Sequence, residues 1–542
     1  MSGGAGRGAR VRLLPASLVL AALPLTSMAA DPRPDPYATD ADRAQAAVFA
    51  AREADWRNGA VVYQVLVDRF APPRDLQAKR ELYPPPKVLR RWDEVPTRGV
   101  YLPEANVWSH EIDFWGGDLQ GLRSRLDWVQ GLGADVLYLN PIHLAWTNHK
   151  YDALDYKAMS PEFGAEADFD ALVADVHGRG MKLVLDGVFN HMGRNAPMFV
   201  EAASGPGSRY RDWFVWGTEH PGGARIWMDA RNLPELNLEN PDVRDYVYGA
   251  RDSVVQSYLA RGVDGWRLDV GYDIGFRFLG ELTAAAHARK PGSLVVGEIE
   301  NYPREWFPHV DGVMGFTLRE LILRTVRGEL APRAGARMIE RLIADAGTGN
   351  MLKSWLQLDN HDTHRIATEL PDVRQRRLAQ AWQFTLPGSP TLYYGSELGM
   401  TGGGDPEMRA PMRWDLANED NATLAWTRKL IGLRRAHRAL RIGDVRWLET
   451  TRLVGFERHT DRIGDAVLVL ANPSDDAVSE WVMVPDSKLM NMSRLLNLLD
   501  PASPPLPVVS ALVRVELPPH GVLLLAPDIA PKAGYTPYKR VH

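Results

Sequence analysis

Short, wholly apolar runs alternate with amphipathic stretches over most of this chain. Residues 60–67 (AVVYQVLV) read as a strand buried on both faces, and 135–139 (DVLYL) as a second, ending at Asn140-Pro141. Phe169, Leu172, Val173 and Val176 then fall at i, i+3, i+4 and i+7, which predicts a helix that Gly178 and Gly180 stop. Residues 181–185 form the next strand. This strand–helix–strand order marks a parallel α/β fold. Further strands are expected at 263–268, 294–297, 312–316, 355–359 and 390–394, eight in all. Val243, Val247, Ala250 and Val254 supply the apolar stripe of one intervening helix.

Three stretches depart from the alternation. Residues 71–112, rich in Pro, Lys and Arg, read as a long rim loop. Residues 193–240, with RYRDWFVW and GGARIWMDARN, read as a small inserted subdomain. After about 440 helical periodicity is lost. Phe456, the run 466–470, and Val513, Val515 and Leu517 alternating with Arg514 and Glu516 predict an antiparallel sandwich over 439–528, followed by a tail, 529–542. The α/β part thus occupies 58–192 and 241–438. Residues 1–29 have the form of a signal peptide: Arg7, Arg10 and Arg12, an apolar run at 13–25, and Ser27-Met28-Ala29 for cleavage. That run is shorter than the roughly 20 residues of a membrane span. A secreted or periplasmic protein is expected, with 30–57 as a loose leader.

Composition narrows the function. The chain has 542 residues, 45% of them hydrophobic and 24% charged, and a net charge of −5, which argues against nucleic acid or an anionic membrane as partner. With no cysteine, disulfides, thiolate metal sites, a Cys nucleophile and lipid attachment at a cysteine are excluded.

Three acids stand at strand ends: Asp269 in GVDGWRLDV, Glu298 in LVVGEIE and Asp362 in LDNHDTHR. They lie about one and two strand–helix units apart, spacing that a parallel barrel would bring to one rim. Carboxylates gathered there can split a glycosidic bond, one as nucleophile and one as proton donor. Taken singly, each has a structural reading: Asp269 as the partner of Arg267, Asp362 as a helix cap. Arg267 would also keep a neighbouring carboxylate ionised, and the apolar surround of Glu298 would raise its pKa. Seventeen tryptophans, among them Trp108, Trp115, Trp146, Trp213, Trp216 and Trp227, offer faces for sugar rings, and Trp146 stands out just before His149.

Over about residues 58–528 the chain resembles the α-amylase family of glycoside hydrolases. DGVFNH (186–191), GWRLDV (265–270), GEIE (297–300) and DNHD (359–362) are similar to four signature segments of that family, LPELN (233–237) to a fifth, and 393–415 to its eighth-strand loop. The resemblance implies a (β/α)8 TIM barrel with a small B domain after the third strand and a C-terminal β-sandwich. It assigns Asp269 as nucleophile, Glu298 as general acid/base and Asp362 as transition-state stabiliser. It places Tyr151 against the sugar before the cleaved bond, with His149, His191, Arg267 and His361 binding hydroxyls or carboxylates. Arg365 is expected at the substrate as well. YLNPIHLAWTNHKYDALDY (138–156) is most similar to the neopullulanase, cyclomaltodextrinase and maltogenic amylase group, which implies an α-glucan oligosaccharide substrate. Tyr272, Asp273 and Glu300 depart from that group's usual residues on the leaving-group side. Asn190 and Glu235, with Asp273 as a third, match positions that bind a structural calcium in many relatives; the chemistry itself requires no cofactor. A secreted α-1,4-glucan hydrolase is the leading expectation. A glucosyl transferase or isomerase, or a catalytically silent sugar-binding protein, is the alternative.

Overall fold

The computed structural model describes residues 1, 3 and 37–541. Eight parallel strands form its centre: β1 Val62–Val65, β2 Val136–Leu139, β3 Lys182–Gly187, β4 Gly265–Leu268, β5 Leu294–Gly297, β6 Gly312–Val313, β7 Trp355–Gln357 and β8 Ser389–Tyr393. They pair in the order β6-β5-β4-β3-β2-β1-β8-β7. A parallel bridge between Met314 and Trp355 joins β6 to β7 and closes the barrel.

Both faces of these strands are apolar because both are covered. Val62, Val136, Tyr138, Val184, Val296 and Trp355 fill the interior as one cluster. Alternate residues such as Tyr63, Leu137, Leu183, Trp266 and Val295 point outward into the helical layer. The helix Glu166–Gly178 buries Phe169, Leu172, Val173 and Val176 there, as its spacing predicts.

Two helical expectations are corrected. The stripe Val243–Val247–Ala250–Val254 does not lie on one helix. Ala250 is extended, and Ser253 caps a new helix, Val254–Ala260, by accepting from the Gln256 N–H. The expected loose leader holds the helix Asp40–Ala54, started by a reciprocal Thr39/Asp42 capping box and held by buried Phe49. The part of that leader before residue 37 and nearly all of the expected signal segment lie outside the described residues. Among the described residues no helix is long and apolar enough to cross a membrane.

Between β3 and β4 the chain makes a small irregular unit containing the helix Pro197–Ala203 and the bridges Phe214–Leu236, Trp216–Ala224 and Ile226–Pro234. Its aromatics pack on one another, Phe199 lying 4.9 Å from Phe214 and 5.4 Å from Trp216. Beyond the barrel, a six-stranded antiparallel sheet faces a two-stranded ladder, Val478–Met483 against Leu512–Leu517. Leu468, Leu470 and Leu525 of the larger sheet share a core with Val482, Val513 and Val515 of the ladder. Tyr538, in the expected tail, is buried against that core.

The amino-terminal face of the barrel is pinned by Arg434, on the helix Ala422–Ala436. Its guanidinium is buried and donates only to carbonyls: Gly59 at 3.0 Å, Phe384 at 2.9 Å and Gly388 at 2.5 Å. Gly59 lies three residues before β1 and Gly388 immediately before β8, so one side chain ties the first strand to the last. Gly59 has φ +64, and a Cβ there would meet the Arg441 carbonyl at 2.2 Å. Arg434→Met leaves three buried carbonyls without their donors and is expected to destabilise the fold by about 3 kcal/mol. Chemical denaturation checks this; a loss within about 0.5 kcal/mol would show that the ends of the barrel close without it.

Candidate active site

Strand register builds the site. Asp186 on β3 pairs level with Arg267 on β4, and Leu268 is level with Gly297 on β5. Asp186 and Arg267 therefore meet at the top of the interior, both buried. Arg267 Nη1 lies 2.8 Å from Asp186 Oδ1 and 2.9 Å from Asp269 Oδ1, while its Nη2 lies 2.7 Å from Glu298 Oε1. One guanidinium thus holds three carboxylates. The second oxygen of Asp186 accepts from the Tyr138 hydroxyl at 2.5 Å and the Tyr151 hydroxyl at 2.8 Å. Val270 follows Asp269 at φ 48, strained for a β-branched residue. That turn aims its N–H at Glu298 Oε2, 2.9 Å away.

Asp362 has separate support. His361 Nε2 lies 2.9 Å from its Oδ2, and Arg409 Nη2 lies 2.8 Å from its Oδ1. The His361 ring stacks on Tyr151 at 5.3 Å. Gln64 Nε2, 2.9 Å away, donates to His361 Nδ1 and leaves Nε2 to carry the proton toward Asp362.

Charge divides the acids. Burial pushes the carboxyls of Asp269 and Glu298 upward against the pull of Arg267, and the Glu298 charge adds to the rise at Asp269. Two acids sharing one cation titrate as a pair, and the pair retains a proton more readily than an exposed carboxylate would. At Asp362 burial works the same way, but the neighbouring His361 ring and the Arg409 guanidinium win, holding it well below the usual carboxylate range. His191 is pushed down to about 3 by burial and by the His149 charge. Its Nε2 lies 3.9 Å from Asp269 Oδ2 and has no hydrogen-bond partner.

These groups open into a cavity of about 600 Å³. Asp269, Glu298 and Asp362 line it together with Tyr151, His149 and His191, and so do Tyr272 and Glu300. Arg267 and His361 lie beneath the lining, acting on the acids. Other expected residues are placed elsewhere. Trp146 packs against the cluster of Tyr83, Val107, Ile112 and Phe114. Arg365 is buried, donating to the carbonyls of Met408 and Tyr394, and so shapes the loop after β8 without facing the cavity. Asp273 is exposed and does not line the cavity; partial burial raises its carboxyl against the influence of Trp227 and Arg225. Trp227, one of the tryptophans expected to offer a sugar face, lines the cavity, and residues not named beforehand also contribute: Glu111 from the rim loop, Met228 from the inserted unit, and Asp405 and Arg409 from the loop after β8. A clustering of charge in two already conspicuous loops was their one signal.

A closed parallel barrel with three carboxylates converging on a cleft at its carboxyl rim is the site of a barrel glycosidase. The family model for the α-amylase catalytic domain matches residues 64–443. A cyclomaltodextrinase from Geobacillus thermopakistaniensis (strain MAS1) is 32% identical over 494 residues, 87% of this chain and 77% of that one. The ligand-free structure of cyclic α-maltosyl-(1→6)-maltose hydrolase from Arthrobacter globiformis is similar with a TM-score of 0.73 at 30% identity, covering 87% of this chain and 99% of that one. The intracellular maltogenic amylase of Bacillus subtilis (strain 168) is 31% identical over 423 residues, 76% of this chain and 66% of that one. The chain belongs to the α-amylase family of glycoside hydrolases. The secreted or periplasmic placement expected from the N-terminus is overturned by the last of these relatives, whose name places it inside the cell. The apolar run that carried that expectation lies outside the described residues.

The expected calcium ligands do not fit a cation. Glu235 is engaged by the Arg225 guanidinium, Asn190 Nδ2 lies 3.5 Å from His191 Nδ1, and Asp273 faces Trp227. Among the described residues no group of three His, Cys, Asp or Glu is arranged to hold a metal. A fixed guanidinium beside Glu235 repels the divalent ion that oxygen ligands would otherwise attract. The melting temperature is therefore expected to be the same in EDTA and in millimolar calcium. A melting temperature lowered by EDTA and restored by calcium would reverse this.

Proposed function

We propose that this protein is a retaining hydrolase of α-1,4-glucosidic bonds in maltooligosaccharides, cyclodextrins or soluble starch. The observation that carries the reading is the single guanidinium of Arg267 touching both Asp269 and Glu298, with Asp362 across the same cavity. Two carboxyls on one cation divide the roles that glycoside cleavage needs. Asp269 attacks the anomeric carbon as a carboxylate, Glu298 gives its proton to the leaving oxygen, and a covalent glycosyl-enzyme forms. Glu298 then takes a proton from water as that water releases the sugar. Asp362 stays ionised throughout and opposes the positive charge developing on the ring. Tyr151 offers a ring face and His191 an unpaired nitrogen to the same sugar. The names of the relatives, cyclomaltodextrinase and maltogenic amylase, support the substrate class.

Asp269→Asn is expected to lower kcat by roughly 10⁴-fold or more while leaving the melting temperature near that of the parent. Release of reducing ends from starch, pullulan, β-cyclodextrin and maltotriose is the assay, and near-normal turnover by the variant would sink the assignment. The pH profile supplies a second check. Glu298 must hold its proton in the first step, and burial raises its carboxyl above the ordinary 4.5. kcat/KM is therefore expected to stay high as pH rises past 4.5 and to fall at higher pH, where Glu298 loses its proton. A fall already complete near 4.5 would show that Glu298 is not the acid.

A further inference from the structure

The rim loop between β1 and β2 carries an antiparallel hairpin, Tyr101–Leu102 against Val107–Trp108, that the chemistry above leaves unused. Its two rings stay open to solvent, Tyr101 at 42% and Trp108 at 38% exposure, and meet edge to face at 5.6 Å. They wall a hollow of about 360 Å³ whose other residues include Asp229, Arg231 and Asn232 of the inserted unit. Glu111, Ala230 and Asn232 line both this hollow and the catalytic cavity, so the two adjoin.

The aromatic wall is held in place without a ligand. The backbone N–H of Trp108 donates to one Glu111 oxygen, and the other Glu111 oxygen lies 3.2 Å from His149 Nε2. His149 in turn stacks against Tyr151 at 5.8 Å. Asn148 Nδ2 donates to the His110 carbonyl at 2.7 Å, and the Asn148 N–H donates to the Glu111 carbonyl at 2.7 Å. His110 Nε2 lies 3.3 Å from Asp405. The rings are thus fixed relative to Tyr151 before anything binds, which removes much of the ordering entropy a ligand would otherwise face.

The chemistry of the hollow selects its occupant. Glu111, Asp229 and Arg231 line the hollow and the Arg98 guanidinium lies 5.4 Å from the centroid of the Trp108 ring, so charges of both signs meet here and neither a cation nor an anion is favoured. Flat apolar rings on one side and side chains that donate and accept on the other suit an uncharged polyhydroxyl chain, with ring C–H faces on the aromatics and hydroxyls on the polar wall.

We propose that Trp108 and Tyr101 form an outlying α-glucan subsite, holding the sugar units that continue out of the catalytic cavity past Glu111 and Asn232. The proposal rests on the hydrolase reading above and makes this hairpin the element that senses chain length.

Steady-state kinetics on maltotriose and maltohexaose test it with the parent, Trp108→Ala and Trp108→Phe. In Trp108→Ala the ratio of kcat/KM for maltohexaose to that for maltotriose is expected to fall about tenfold, mainly through KM, the loss of one contact of ordinary strength. Trp108→Phe keeps a ring face and is expected to recover most of the ratio. An unchanged ratio in folded Trp108→Ala, or an equal loss on both substrates, would overturn the subsite. Calorimetric titration with maltohexaose reads the same contact without turnover, in Asp269→Asn with and without Trp108→Ala. A Kd about tenfold weaker in the double variant is expected, and an unchanged Kd overturns the proposal. If the parent cleaves no α-glucan while binding still depends on Trp108, the hydrolase reading fails and the subsite stands.

Discussion

The ion cluster at Arg267 is the interaction on which the site depends. A guanidinium with no solvent exposure meets Asp186, Asp269 and Glu298, each within 2.9 Å. Such a cluster is stable only where desolvated charge is matched by geometry, and a planar fork can reach carboxylates in three directions where an ammonium cannot. The fork is aimed by register alone. Arg267 sits level with Asp186, and a slip of one residue in β4 would turn it out of the interior into the helical layer. The unbroken apolar packing of the strands therefore fixes the catalytic geometry as well as the fold.

Because one cation faces three acids, the cluster is short of positive charge, and burial resolves the shortage by favouring a retained proton. The Asp269–Glu298 pair is where that proton can sit while remaining useful to chemistry. Asp362 escapes the competition because its partners, the His361 ring and the Arg409 guanidinium, come from different elements, the turn after β7 and the loop after β8. The cavity thus contains two electrostatic environments a few residues across, one that keeps a proton and one that expels it. Separating carboxyl pKa values in this way lets a single site supply an acid and a stabilising anion at the same pH.

What could be read from the sequence follows the same division. All eight barrel strands were legible as mainly apolar runs, since a strand covered on both faces admits only isolated polar residues such as Gln64, Arg267 and Gln357. The acids at their ends were legible because each breaks such a run abruptly. The loops were not. Trp146 and Arg365 stand beside site residues in sequence, yet Trp146 is drawn into the Tyr83–Phe114 cluster and Arg365 is spent on backbone carbonyls. Glu111 and Arg409 reach the cavity from loops whose paths no periodicity constrains. The broken helix at Ala250 and the capped helix at 40–54 were hidden because local hydrogen bonds by Ser253 and Thr39, not an apolar stripe, decide them.

The wall around the substrate is accordingly held by a different physics from the barrel beneath it. Lys150, at φ 66, buries its ammonium 3.4 Å from Glu162, near the rings of Phe114 and Phe163. Lys87, from the rim loop, reaches the other oxygen of the same glutamate at 2.7 Å. Together with the Asn148 and Glu111 bonds, these contacts bind two loops into one rigid edge that carries His149 and Tyr151 at its inner end and Trp108 at its outer end. That edge meets the Arg267 cluster at its inner end, where the Tyr151 hydroxyl donates to Asp186. Outward of that contact the rim can change length, ring content and charge while the carboxylate cluster stays in register, which separates the choice of glucan from the chemistry that cuts it.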